Sequence, residues 1–363
     1  MILLNPGPVG LSERVRAALT LPDLCHREPE FAALQDEIRA RLLEVYGLEG
    51  GDWAPVLISG SGTAAVEAML ASLVPRDGRL LVVENGVYGS RMAEIARHHG
   101  IAAASLKLAW GEAVDRAALA RALDEAPGVT HVAVVQHETT TGRLNDLHTV
   151  AGACRERGVR MLVDAVSGFG AESLDFGAWP LAACAGSANK CLHGAPGLSF
   201  VLVQRDALAR GTARGVYLDL ARHARAQDAQ ETAFTPAIPA FYALREALRE
   251  LADEGGWRAR HARYAALAQA VEQGLTGLGI EPLLRTGARS VALRAYRLPL
   301  ALSYAALHDH LKQHGFVIYA GQGALAADIF RVSTMGAVGA DDLERFVSTV
   351  GATPGWRRRR VRA

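Results

Sequence analysis

The sequence predicts an α/β protein: a mostly parallel sheet covered by helices on both faces, followed by a smaller α+β domain. Three observations carry this. Between residues 55 and 203, apolar strand-like runs alternate with segments of helical spacing. Those runs are nearly continuously apolar, as in sheets buried on both faces. Beyond Gly279 the texture changes to short strands between helices. The 363 residues, half of them apolar, suffice for one large and one small domain. The expected division is 1–20 as an N-terminal segment, 21–245 as the large domain and 246–363 as the small one.

Residues 1–30 read as irregular, with Pro6, Pro8, Pro22 and Pro29. Phe31, Leu34, Ile38, Leu42 and Val45 then recur at helical spacing. Residues 55–59 read as a strand, Gly60-Ser61-Gly62 as a turn and 63–73 as a helix. A strand at 79–83 precedes a helix at 90–99, and a strand at 131–135 precedes a helix at 147–157. Strands at 159–164, 182–187 and 198–203 complete the series. Long helices are expected at 239–251 and 257–278. In the smaller domain 290–295 and 316–319 read as strands, and 304–314 and 341–350 as helices.

Composition excludes several classes. Charged residues are 21% and prolines number 14, which argues against wholesale disorder. The net charge is +1, but five arginines, Arg357 to Arg360 and Arg362, crowd the last seven residues. Without them acids outnumber bases, so no nucleic-acid partner is expected, and the basic run reads as a solvated end. No apolar run approaches the roughly 18 residues of a membrane helix. The start, Met1 to Pro8, lacks a basic region before its apolar residues, so no signal peptide and no membrane partner are expected. Cys25, Cys154, Cys184 and Cys191 are scattered, with no C-x-x-C pair. A reduced, cytoplasmic enzyme without a metal is the expectation.

Ligands of parallel sheets bind beyond the carboxyl ends of the strands. Gly60-Ser61-Gly62-Thr63 lies between a strand and a helix, where backbone N–H groups and two hydroxyls could cradle an anion. It matches neither nucleotide-binding glycine fingerprint, and it could be a plain turn. Asp164 ends an apolar strand; it could cap a turn or hold a cationic nitrogen. Lys190 stands in a charge-poor stretch of a chain whose positive charge is mostly arginine. Desolvation there would lower its pKa and make the amine nucleophilic, unless it snorkels to the surface. His137 to Gly142 is a hydroxyl-rich strand end, and Tyr88 is a stacking aromatic or a core residue. Arg331, in an apolar strand-like setting, calls for an anionic partner. In this order the residues match the needs of pyridoxal phosphate: an anion site, a stacking ring, an acid for the ring nitrogen and a lysine.

Here the sequence resembles the class V aminotransferases of fold type I, most of all their branch acting on 2-aminoethylphosphonate and pyruvate. The likeness runs from Asn5-Pro6-Gly7-Pro8 to about Gly336. Its most specific segments are Ser187-Ala188-Asn189-Lys190-Cys191 and Gly194-Ala195-Pro196-Gly197. Others are Asn85-Gly86-Val87-Tyr88-Gly89, Glu138-Thr139-Thr140-Thr141-Gly142 and Phe330-Arg331-Val332-Ser333. The resemblance implies a large domain with a mostly parallel seven-stranded sheet, and pyridoxal 5′-phosphate as cofactor. Lys190 would bond the cofactor and shuttle the proton, and Asp164 would pair with the ring nitrogen. Val166 and Tyr88 would flank the ring, and Ser61, Gly62, Thr63 and Ser187 would hold the phosphate. Thr140 or Thr139 would lie near the ring hydroxyl. Thr235 would reach the phosphate of a neighbouring subunit, implying a homodimer with shared active sites. Arg331 would bind the carboxylate or phosphonate, and the segment around Gly7 would cover the substrate. The partners implied are a small amino donor and pyruvate, in phosphonate catabolism. Val332-Ser333, where relatives more often carry Ile-Gly, and His26-Arg27, shared with the wider class, keep an alanine–glyoxylate or serine–pyruvate type as the alternative.

Overall fold

A computed structural model of the chain describes residues 1–300 and 302–355. Seven strands build the main sheet: β1 (Trp53–Ser59), β2 (Arg79–Glu84), β3 (Ala102–Lys107), β4 (Val129–Val135), β5 (Arg160–Asp164), β6 (Leu181–Ser187) and β7 (Leu198–Gln204). Their order is β1-β7-β6-β5-β4-β2-β3. Only β7 runs against its neighbours. Every residue of β6 is buried, as expected of a central strand with both faces covered.

On one face α1 (Pro29–Glu44) opens with proline in its first turn, where the missing N–H is harmless. It buries Phe31, Leu34, Ile38 and Leu42 and meets α4 (Ile238–Asp253), with the rings of Phe31 and Phe241 5.1 Å apart. The other face is covered by α2 (Gly62–Leu73) and α3 (Val87–His98). Gly62 is required by this packing: a Cβ there would lie 2.6 Å from Val166 Cγ1 and 3.2 Å from Ser187 Cβ. The helix start therefore presses directly onto the ends of β5 and β6.

The smaller unit holds an antiparallel sheet of β8 (Leu293–Arg297), β9 (Tyr319–Ala320) and β10 (Ile329–Ser333), ordered β8-β10-β9. Phe330 and Val332 share a core with Leu267, Val271 and Leu275 of α5 (Gly256–Gly277) and Phe346 and Val350 of α6 (Ala340–Gly351). Ile2–Leu3 pairs in parallel with Phe316–Val317, which anchors the N-terminus to this unit.

Some elements depart from expectation. The edge strand β3 reads Ala-Ala-Ala-Ser-Leu-Lys, without the β-branched residues that mark strands, and is mostly exposed. The supposedly irregular start contains Ile2–Leu3 and a short helix, Glu13–Ala18, capped by the Ser12 hydroxyl. The expected strand at 316–319 is split, its halves joining different sheets. No helix among the described residues is long and apolar enough to cross a membrane. The basic run at Arg357 to Arg360 and Arg362 lies outside the described residues.

Candidate active site

The parallel strands deliver their carboxyl ends to one edge of the sheet, and the candidate residues gather there. β5 ends at Asp164, whose Oδ1 accepts the N–H of Val166 at 3.0 Å. Burial pushes the Asp164 carboxyl up to about 6, against the pull of that N–H; nearby Glu138 pushes the same way as burial.

β6 leads into the turn that carries Lys190, whose Nζ donates to the carbonyl of Pro6. Burial pushes this ammonium down to about 8; Cys191 and Asp164 oppose the shift, and Arg331 and Arg91 add to it. Small-unit side chains hold the turn just beyond. Arg260, buried on α5, donates to the Cys191 carbonyl at 2.8 Å and pairs with Glu254 at 2.7 Å. His193 Nε2 accepts the Gly336 N–H at 2.9 Å and lies against the Tyr264 hydroxyl.

Gly7 covers the lysine. Its φ is +126°, and a Cβ there would fall 2.7 Å from Lys190 Nζ and 2.8 Å from Cδ. Gly7→Ala combines that overlap with a positive-φ backbone that costs an L-residue roughly 1–3 kcal/mol. The expected result is a drop of about tenfold or more in kcat/KM with an unchanged circular dichroism spectrum; wild-type kinetics would show that the segment does not press on Lys190.

At the N-terminus of α2, Ser61 makes no side-chain cap, and first-turn N–H groups lack intrahelical partners. Ser187 sits beside it, its hydroxyl donating to Asn189. Gly62, Thr63, Tyr88, Arg91, Asp164 and Val166 line a single cleft.

Glu138 organises the opposite wall. Its Oε2 accepts the N–H groups of Tyr88 and Gly89 at 3.2 and 3.3 Å, at the start of α3. Its Oε1 accepts from the Thr140 hydroxyl at 2.6 Å and the Thr140 N–H at 3.2 Å. Burial raises its pKa, and these four donors pull it back. The Thr140 hydroxyl also accepts the Val87 N–H at 3.0 Å, so its only proton is already committed to Glu138 and one lone pair to Val87. The Thr139 hydroxyl is buried with no partner.

Arg331 on β10 is buried. Its Nε donates to the Ala320 carbonyl at 2.9 Å, and Nη1 to the Thr139 carbonyl at 3.0 Å and to Gln322 at 3.3 Å. No carboxylate among the described residues forms an ion pair with Arg331, and burial lowers its pKa. Thr235 is exposed and lines one cleft with His26, Arg27 and Phe234 and another with Ser59 at the end of β1, but not the cleft of Gly62, Asp164 and Val166.

Residues 23–324 match the family model described as Aminotransferase class-V. The chain belongs to the class V aminotransferases. This aminotransferase is 40% identical over 356 residues to 2-aminoethylphosphonate–pyruvate transaminase of Burkholderia thailandensis, covering 96% of this chain and 95% of the relative. Among solved structures it is similar to an aspartate aminotransferase of Thermus thermophilus (30% identity, TM-score 0.89, 97% and 99% of the two chains). It is also similar to an alanine–glyoxylate aminotransferase of Nostoc (28% identity, TM-score 0.91, 97% and 94%). Its architecture is that of the fold type I aminotransferases.

Three site residues escaped the sequence reading. Glu138 lies within the hydroxyl-rich strand end at 137–142, where residue order alone does not mark an acid as the centre of the hydrogen bonds. Arg91 follows Tyr88 by three residues, the spacing that puts both on one helix face. Arg260 carried no signal, because an arginine in an amphipathic helix normally faces water.

Proposed function

We propose that this class V aminotransferase moves the amino group of 2-aminoethylphosphonate to pyruvate, giving phosphonoacetaldehyde and alanine, with pyridoxal 5′-phosphate as cofactor. The observation that carries the proposal is Arg331: a buried guanidinium, tied on two sides to carbonyls and to no carboxylate, suits an anionic ligand. Both substrates present such an anion, and the phosphonate donor is the one named for the relatives.

The residues fit the cofactor. The cleft offers uncapped helix N–H groups for a phosphate and a buried carboxylate for a ring nitrogen, and elsewhere at the sheet edge stand an orphaned Thr139 hydroxyl and the Lys190 amine. Bound pyridoxal phosphate would supply an electron sink and a carrier for the amino group. Around it Ser61, Gly62 and Thr63 would donate to the phosphate, as would Ser187 on turning its hydroxyl away from Asn189, and Val166 and Tyr88 would flank the ring. Asp164 would hold the positive charge at the ring nitrogen. Thr139, not the engaged Thr140, would meet the ring hydroxyl. Lys190 would take and return the proton at the amino-bearing carbon, while Gly7 and Pro6 cover it from water. In a two-fold dimer Thr235 would serve the neighbouring subunit's phosphate. The proposed setting is the cytoplasm.

A panel of amino donors with pyruvate tests the substrate. 2-Aminoethylphosphonate is expected to give the highest kcat/KM. An α-amino acid ahead by tenfold, about 1.4 kcal/mol in transition-state binding, would move the assignment to the alanine–glyoxylate or serine–pyruvate type. Arg331→Lys should lower kcat/KM for both substrates by at least tenfold, because an ammonium cannot replace the fork; retention with either one would dissociate Arg331 from that ligand.

A further inference from the structure

The phosphate cradle on this chain is electrically incomplete. Ser61, Gly62, Thr63 and Ser187 offer hydroxyl and backbone donors without formal charge. The start of α2 adds about half a positive charge, whereas a phosphate monoester carries up to two negative ones. Arg91 stands beside this cradle. Its guanidinium lies 4.8 Å from the centre of the Tyr88 ring, and Nη1 is 3.4 Å from the Thr63 hydroxyl. It lines the same cleft as Gly62, Thr63, Asp164 and Val166. No ion pair among the described residues includes it, unlike Arg39, Arg260 or Arg289. Resting on the face of Tyr88, the planar group keeps its N–H edge free for a ligand.

We propose that Arg91 is the cationic member of the cofactor-phosphate site, sharing the phosphate with Thr63 and fixed in place by Tyr88. The inference rests on the reading of pyridoxal phosphate as cofactor and extends it to a residue to which that reading gave no role. One guanidinium would then join the anion cradle to the ring-stacking aromatic. Its charge also reaches the reacting groups, disfavouring protonation of both Asp164 and Lys190.

The test compares pyridoxal phosphate with pyridoxal, which lacks the phosphate. Each is titrated into cofactor-free wild-type, Arg91→Met and Arg91→Lys proteins, with binding followed by absorbance and protein fluorescence. Arg91→Met is expected to weaken pyridoxal phosphate at least tenfold and pyridoxal less than twofold, with Arg91→Lys between. Equal weakening of both ligands would mean that Arg91 only supports Tyr88, and would overturn the proposal. So would unchanged affinity for pyridoxal phosphate, whether or not KM for 2-aminoethylphosphonate rises. If the methionine variant fails to fold, Arg91→Gln is titrated in the same way. Failure of the wild-type protein to bind either ligand would instead overturn the cofactor reading.

Discussion

Lys190→Ala is expected to abolish steady transamination. Loss of a positioned proton carrier alone is worth roughly 10²–10⁴-fold, and losing the amine proposed to bond the cofactor should add to it. The chain has only three lysines, Lys107, Lys190 and Lys312. Lys107 and Lys312 are exposed, so reductive trapping with pyridoxal phosphate should mark Lys190 alone. The pH dependence follows from burial. An exposed lysine is mostly protonated up to about pH 10.4, whereas Lys190 loses its proton near 8. The neutral amine is the nucleophile, so capture of the cofactor by cofactor-free protein should accelerate about tenfold per pH unit below 8 and level off above it. Stopped-flow absorbance measures this. A rate still climbing at pH 10, or an alanine variant with near-normal turnover, would remove Lys190 from the role.

Asp164→Ala should cost roughly 10²–10³-fold in kcat, the usual loss when one preorganised electrostatic partner is deleted, and should weaken cofactor binding. Asp164→Glu should be milder. The same residue predicts an opposite effect on stability. In the cofactor-free protein burial holds its carboxyl near 6, above the unfolded value of about 3.9. The folded state then binds the proton more tightly than the unfolded state. Folding is therefore penalised above pH 6, and the penalty is relieved as pH falls toward 4. The full penalty is about 3 kcal/mol. Cofactor-free Asp164→Asn should accordingly be more stable than wild type at pH 7 and nearly equal to it at pH 4. Thermal melts at the two pH values decide it: a variant less stable at pH 7 would mean that the carboxylate is compensated without any cofactor.

The sheet and the main candidate site residues were legible because each left a local mark. β5 is an apolar run that stops at an acid, and Lys190 is a lone lysine among small residues. The direction of β7 left none: an apolar strand reads alike either way, and its reversal depends on where the chain returns. β3 was missed because alanine and serine have little strand preference and an edge strand need not be apolar. The same limit applies within the site. Sequence order placed Thr139 and Thr140 side by side, and only the hydrogen bonds to Glu138 and Val87 distinguish the committed hydroxyl from the available one. Thr235 shows the reverse case: the resemblance suggested its role, while the clefts it lines within a single chain do not include Lys190.

The N-terminal segment acts as a leash of fixed length. Leu4 is bonded on both sides to the small unit: its N–H donates to Val317 at 2.8 Å, and its carbonyl accepts from Ser333, two residues beyond Arg331, at 2.8 Å. Pro6, only two residues on, meets Lys190. Two residues of extended chain span at most about 7 Å. The strand that carries Arg331 therefore cannot take Leu4 farther than this from Pro6, and a larger retreat from Lys190 would lift Pro6 and Gly7 off the lysine. Opening the cleft for substrate and uncovering the amine thus become one mechanical event.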